Sequence, residues 1–411
     1  MKGLPDHITM VSKYFHPEFC STGQLLMELA VELRRRGCKV SVLTGQARLV
    51  GGGKLPPRGS YDGIPVERVW CTRLDNRSVL GKAINRATFT ASVLLNLLLK
   101  KRPLLLVTSD PPFLCWVGMV MKKLRGGRFV YLLQDIHPDV SVKLGYLKDD
   151  ALLRKCWDWL NQRAYEEADS IVVLGDDMKH TLDGRYNGNG SFRVRVIRNW
   201  ADGDFIRPLR GSDNWFRKRL GLEDKFVVQY SGSIGGYHDF ETAMAAAHRL
   251  RHLPDLKFVF IGEGDKKEDI QRMASDLKLE NVSFFPFQPR NYLPYSLTCG
   301  DVSLVTLESG LEGLSVPCKF YTSLAAGQAI WGLVGNNSEI ARLITKERCG
   351  FRTDQGDVDA SVEMLTRLYH DRELLAGFKR NARRCFETHF DKHGAVEKYV
   401  ELLKDINGGG K

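Results

Sequence analysis

The stretch DVSLVTLESGLEGLSVPCKFYTSLAAG occupies residues 301 to 327. Val302 to Leu307 is an apolar run without alternation, the pattern of a strand buried on both faces. The chain then turns through Gly310 and Gly313 and enters a short helix near Pro317, a residue suited to a first helical turn, with Gly327 suited to its end. A glycine-rich loop between a strand and a helix start presents backbone N–H groups to an anion. Lys319 and Thr322, three apart, share a face of that helix. The stretch reads either as a diphosphate cradle or as an ordinary strand-to-helix turn, and either reading belongs to a parallel α/β sheet.

The same alternation runs outward in both directions. Strands at 225–231, 256–261, 282–287, 301–307 and 329–334 are separated by helical segments near 239–252, 266–277, 290–298, 317–326 and 336–345. Earlier, strands at 7–13, 39–44, 66–70, 104–109, 128–133, 170–174 and 193–197 alternate with helices at 22–36, 79–101, 111–124, 150–167 and 176–185. The chain therefore reads as α/β, two facing doubly wound, Rossmann-like domains. Between them NWADGDFIRPLRGSD, 199 to 213, loses periodicity and gathers Gly, Pro and Asp. The expected domains are 1–205 and 206–390, with 391–411 a helix returning to the first domain and a tail. GGGK at 51–54 with PPRG at 56–59 reads as a flexible loop.

A length of 411 residues suits two domains of about 200 each. The nine cysteines form no CxxC pair and no Cys/His cluster at zinc spacing, so no metal site is expected and reduced thiols are the simplest account. Met1 to His7 lacks the apolar core of a secretory signal. Ala87 to Leu99, 13 uncharged residues, is shorter than the roughly 20 that span a bilayer.

The net charge of +11 is one-sided: residues 1–210 hold 33 Lys+Arg against 21 Asp+Glu, and residues 211–411 hold 27 against 28. Such a surface suits an anionic membrane or a phosphorylated partner. Nucleic acid is not expected, because zinc-finger, RRM and basic-zipper signatures are missing. The segment 79–101 reads either as a core helix with cations at its C-terminus or as a basic amphipathic helix on lipid headgroups, helped by Arg34 to Arg36 and by Lys122, Lys123 and Arg125.

Ligands of doubly wound sheets bind beyond the carboxyl ends of the strands. In the first half YFHPEFCSTGQ (14–24) brings Ser21, Thr22 and Gly23 to a helix start, suited to a phosphate or sugar or simply to capping. QDIHPD (134–139) sets Asp135, His137 and Asp139 at the next mouth, where a carboxylate can bind a sugar hydroxyl or take an acceptor proton. In the second half SGSIGGYHDFE (231–241) and GEGDKK (262–267) are glycine loops without GxGxxG, and His238 and Lys266 could meet phosphate. Asp357-Val358-Asp359 imitates a metal-binding DxD but begins a helix, where acids act as caps.

YFHPE with STGQ, IRNWADGDFIRPL (197–209), YSGSIGGYH, IGEGDKK, FFPFQPR (284–290), GLEGLSVPCKFYTSLAAG and SEIARLI (338–344) together resemble glycosyltransferase family 4, in that family's order and over nearly the whole chain. RNWAD and GLSVPCK are similar to its bacterial exopolysaccharide, colanic-acid and O-antigen branch. The resemblance implies a GT-B fold, a metal-independent and cofactor-free reaction, and transfer of a sugar with retention from a nucleotide diphosphate, expected to be UDP. It implies a donor site on the second domain and an acceptor site on the first, with chemistry in the cleft. A lipid-linked or glycan acceptor and a cytoplasmic, peripheral location at the inner face of the cell membrane go with it.

Carried over residue by residue, Lys319, His238, Ser233 and Gly23 contact the diphosphate, with Lys266 beside them. Gln288 and its neighbours frame the base, Thr322 the ribose, and Leu314 and Ser315 line the donor loop. Glu312 and Asp135 meet the transferred sugar or the acceptor, and Thr22 and His137 the acceptor. Two departures stand out. Where many members pair Arg and Lys five residues apart, this chain has Ser233 and His238. Where many carry two glutamates separated by seven residues, it has Leu314 and Thr322, with Glu312 standing in for the first if the loop is shifted by two. A sugar-nucleotide epimerase of the same fold, or a non-catalytic membrane-associated relative, are the alternatives.

Overall fold

The computed structural model describes residues 3–17, 21–46, 55–74, 78–100, 104–188, 190–209 and 211–409. GGGK at 51–54, Lys101, Arg102 and the last two residues of the tail lie outside them. The chain forms two compact units, Met1–Arg198 with Ala395–Lys411, and Asn199–Gly394. The second unit begins at Asn199, not after 205, because its own side chains hold that segment: Asn199 Nδ2 lies 3.2 Å from Cys318 Sγ, and Arg383 Nη1 donates to Ile206 O at 3.0 Å. Lys392 Nζ likewise reaches Asp202 Oδ2 at 2.7 Å, so the terminal segment counts with the first unit only from 395 and not from 391.

In the first unit β1 (His7–Ser12), β2 (Lys39–Gly45), β3 (Arg58–Tyr61), β4 (Ile64–Val69), β5 (Leu104–Thr108), β6 (Arg128–Leu132), β7 (Ser170–Val173) and β8 (Val194–Val196) form one sheet in the order β3-β4-β2-β1-β5-β6-β7-β8. Every pairing is parallel except β3 with β4. The crossovers β4 to β5, β5 to β6 and β6 to β7 advance in one direction along the sheet. Being right-handed, they lay helices Val79–Leu98, Leu114–Arg125 and Leu152–Glu167 side by side on one face. The β1-to-β2 crossover runs the other way and puts Ser21–Arg35 on the opposite face. There Arg36 pairs with Glu397 of the terminal helix Lys392–Gly408 at 2.7 Å.

The second unit repeats the logic with β9 (Phe226–Ser231), β10 (Leu256–Ile261), β11 (Val282–Phe285), β12 (Val302–Thr306), β13 (Ala329–Leu333) and β14 (Gly350–Thr353). All are parallel, in the order β11-β10-β9-β12-β13-β14. Helices cover both faces, which is why LLLVT of β5, VSLVT of β12 and AIWGL of β13 are buried at every position. The crossover direction reverses between β1 and β5 in one unit and between β9 and β12 in the other. At each reversal the loops part at the carboxyl ends of the strands and leave room for a ligand.

Three local readings change. Arg58 and Gly59, expected in the loop PPRG at 56–59, open β3, because Asp62 and Gly63 both adopt positive φ (47° and 71°) and close a two-residue hairpin turn onto β4. β14 is a strand of sequence GFRT opened by Gly350, in which Phe351 is the one apolar residue, so no apolar run marks it. The helix expected from 317 is Lys319–Ala325, seven residues, with no side chain capping it. Asp357 is a cap, accepting from Ala360 N at 3.0 Å.

Candidate active site

At the β9/β12 reversal the chain gathers a cation, a histidine and an aromatic ring. Lys319, on the first turn after the glycine loop, sends its Nζ to 3.0 Å from His238 Nε2 and 4.8 Å from the centre of the Tyr230 ring. It passes over Gly232, whose φ is +149°; a Cβ there would stand 2.9 Å from Lys319 Cε. The glycine is what lets the lysine cross from one loop to the other.

His238 Nδ1 is 2.7 Å from Thr306 O, a carbonyl that can only accept. Nδ1 therefore carries the ring proton, and Nε2 is the acceptor for the Lys319 ammonium. Burial, and then the Lys319 charge, holds His238 well below its usual pKa, so the ring is neutral. Burial also brings Lys319 down to about 8. Among the described residues no carboxylate pairs with Lys319. It is a desolvated cation that an arriving anion would compensate.

Lys266 differs. Its Nζ donates to His238 O at 3.0 Å and stands 3.5 Å from both Glu241 and Glu308, so its charge is already met. Glu312 differs from expectation too. Its Oε1 accepts from Gly335 N (3.0 Å) and Gln355 Nε2 (3.1 Å), and its Oε2 accepts from Gly310 N (2.8 Å). These bonds tie the glycine loop to the exit of β13, which is a loop-holding task for a carboxylate expected to meet the sugar. Leu314 is buried, and Ser315 N donates to Leu311 O at 3.2 Å. Thr322 Oγ1 turns back to Lys319 O at 3.0 Å. Ser233 is exposed beside Gly232, and its carbonyl accepts from Tyr230 OH. Gln288 lies after β11 with its amide on Pro286 O at 2.8 Å, next to a Phe287 ring that is 44% exposed.

The first unit's reversal is lined differently. Thr22 Oγ1 donates to Gln134 Oε1 at 2.7 Å, and Gly23 lets the helix start approach the chain after β1, since a Cβ would sit 3.3 Å from Tyr14 O. Asp135 is half-buried, and its N–H donates to Ser109 Oγ at 3.3 Å. His137 does not reach the mouth. It is 7% exposed, with Nδ1 2.9 Å from Ser141 Oγ and its carbonyl held by Asn161 Nδ2 at 2.8 Å, and it stacks on Trp157 at 6.0 Å. Burial lowers it to about 3, so it is a neutral core residue and not an open acceptor ligand.

Tyr230, Glu308 and Gln134 escaped the sequence reading. Tyr230 occupies a strand position that periodicity assigns to core, and only the crossing lysine gives its ring a second task. Glu308 and Gln134 are each the first or second residue beyond a strand's carboxyl end, a position that could have singled them out. Among the described residues no group of three or more His, Cys, Asp or Glu gathers as a metal site would require.

Residues 22–200 match the glycosyl transferase 4-like domain, and residues 212–385 match glycosyl transferases group 1. With two doubly wound parallel sheets, the chain belongs to the glycosyltransferases of GT-B fold that join these two domains. Among its relatives are a probable glycosyltransferase, WbjE, of Pseudomonas aeruginosa, 24% identical over 97% of this chain and 98% of that protein. Another is a putative colanic acid biosynthesis glycosyl transferase, WcaI, of Escherichia coli K12, 27% identical over 80% and 81%. In structure the chain is similar to a sucrose-phosphate synthase of Thermosynechococcus elongatus, with TM-score 0.80, 15% identity, and 99% and 100% of the two chains covered. It is also similar to Anabaena HepE in complex with UDP-glucose, with TM-score 0.73, 16% identity, and 97% and 99% covered.

Proposed function

We propose that the protein is a retaining transferase that moves a sugar from a UDP-sugar to a glycan or lipid-linked acceptor during bacterial polysaccharide synthesis. The uncompensated Lys319 ammonium at the β9/β12 reversal carries this reading. A colanic acid enzyme among the relatives and a UDP-glucose complex among the structural neighbours support it.

The reaction breaks the bond between C1 of the sugar and the β-phosphate oxygen, and forms a bond from an acceptor oxygen to C1 on the same face. The acceptor proton leaves with the departing phosphate. Charge grows on the diphosphate in the transition state, so a fixed cation beside it lowers the barrier. A full charge at about 4 Å is worth about 4 kcal/mol at an effective dielectric of about 20, against roughly 0.3–1 kcal/mol for a helix end. Lys319 therefore outweighs the seven-residue helix that carries it. Ser233 offers a backbone donor to the same anion, Phe287 and Gln288 frame the base, and Thr322 lies on the ribose side. Asp135 and Thr22 orient the acceptor hydroxyl. Glu308, paired with Lys266, takes the sugar-facing position once expected of Glu312.

Calorimetry with UDP-, GDP- and TDP-sugars, followed by transfer assays with a lipid-linked acceptor, tests the reading. UDP should bind, and Lys319→Ala should cut turnover at saturating donor by about 10²–10³-fold, the usual effect of removing one such charge-stabilising donor. Turnover that is nearly unchanged, or binding of none of the nucleotides, defeats it.

A further inference from the structure

The helical layer of Val79–Leu98, Leu114–Arg125 and Leu152–Glu167 carries an outer surface that the fold leaves uncovered. On the first helix Leu80, Ala83, Ala87, Ala91 and Leu95 recur at helical spacing and are all exposed, and Leu99 at its C-cap is 84% exposed. The neighbouring helices extend the surface with exposed Leu124, Leu152, Leu153 and Trp159. Single exposed leucines are ordinary, but an apolar surface shared by adjoining helices marks an interaction face.

Charge identifies what covers it. The first two helices contain Lys82, Arg86, Lys122, Lys123 and Arg125 and no Asp or Glu. Arg86, Lys122 and Lys123 pair with Asp110, Asp169 and Glu167, and the third helix sets Arg154, Lys155 and Arg163 against Asp158, Glu166 and Glu167, which leaves the layer net basic. A second copy docked through the same face would set these cations against their own kind, whereas an anionic headgroup layer attracts them. Trp159, with Arg163 over its ring at 6.0 Å, and Tyr146, with Lys82 over its ring at 5.9 Å, place aromatic rings with polar edges beside the apolar stripe. That arrangement suits the water–lipid boundary.

We propose that this layer docks the protein on an anionic bilayer, with Leu80, Leu95, Leu99 and Leu152 in the headgroup–acyl boundary. No described helix is long and apolar enough to cross a membrane, so the contact is a helix lying in the interface plane. The first helix starts at the carboxyl end of β4, and its Arg86 lies 3.7 Å from Asp110 in the loop leaving β5. The docking face therefore borders the first unit's mouth. A lipid-linked acceptor can present its sugar there while its chain stays in the bilayer. That consequence rests on the acceptor reading; the docking does not.

Flotation of the full chain with vesicles separates the possibilities. Binding is expected to mixed phosphatidylcholine and phosphatidylglycerol vesicles, weaker with added salt and weaker still to pure phosphatidylcholine. Leu80→Asp with Leu95→Asp, both at exposed positions, should lower the bound-to-free ratio about tenfold or more while UDP calorimetry and the melting curve stay as in the parent. The proposal is overturned by failure to float on anionic vesicles at low salt, or by binding that the double variant leaves intact. It is equally overturned if sedimentation shows a dimer that the same variant dissolves, since the face then belongs to a second copy. Loss of UDP binding in the parent would strike the donor reading and leave flotation unaffected.

Discussion

Lys319 is kept charged at a cost that the free protein bears alone. Its pKa in the fold is about 8, below the ordinary 10.5, because burial penalises the ammonium. Between those values the unfolded chain binds the extra proton, so the stability of the free protein rises with pH across that window. Diphosphate binding needs the charged form and should weaken as pH climbs through about 8, a trend that UDP titrations from neutral to alkaline buffer would register. Lys319→Met should raise the melting temperature without ligand and abolish the rise that UDP gives the parent. A variant that melts as the parent does and still responds to UDP would contradict this. Glu312 belongs to the opposite category. Glu312→Ala leaves three donors unmet and should lower stability by about 1–3 kcal/mol in urea melts. Were transfer lost with stability intact, the carboxylate would be a sugar contact after all. The sequence could nominate both residues as charged members of a glycine loop. It could not say which charge was already compensated, since Gly335 and Gln355 lie 23 and 43 residues beyond Glu312.

Strands and helices were legible wherever burial wrote a pattern. LLLVT, VSLVT and AIWGL announce parallel strands covered on both faces, and Asp357 announces a cap. What escaped was fixed by turn chemistry or carried no apolar run: β3 depends on Asp62-Gly63, and β14 reads GFRT. His137 shows the same limit for function. A histidine just past a strand end reads as a ligand, yet Trp157 and Asn161 from the helix Leu152–Glu167 enclose it. Because its folded pKa is about 3, the unfolded chain binds the extra proton below about 6.5. Stability is then complete above that pH and lost as pH falls, at about 1.4 kcal/mol per pH unit for each such ring. His238 adds a second ring of the same sign. Urea melts from pH 7 to pH 5, a window inferred from those pKa shifts, should record this slope, and His137→Gln should remove one ring's share of it. A slope that the variant leaves unaltered would place the acid sensitivity elsewhere.

For the whole molecule, two sheets that reverse direction once each create two separate mouths, and the polar side chains sort between them. Lys319 sits in Asn199–Gly394, and Asp135 and Thr22, proposed to orient the acceptor hydroxyl, sit in the other unit. Hydrogen exchange with UDP should accordingly protect 231–240 and 306–322 and leave 128–141 unaffected; protection of 128–141 alone would reverse the assignment. The presence of two α/β domains and the basic bias of the first half were readable from the chain because they are sums over many residues. The pairing of Lys319 with His238 joins residues 81 apart, and no local pattern encodes it. That pairing also bears on inheritance and engineering. A loop graft that carries Lys319 into a relative without Gly232 and His238 delivers a lysine with neither a path nor a seat. Segments 230–240 and 306–322 therefore form a single transplantable unit, and chimaeras that break between them should fail in donor binding even when both halves come from active parents.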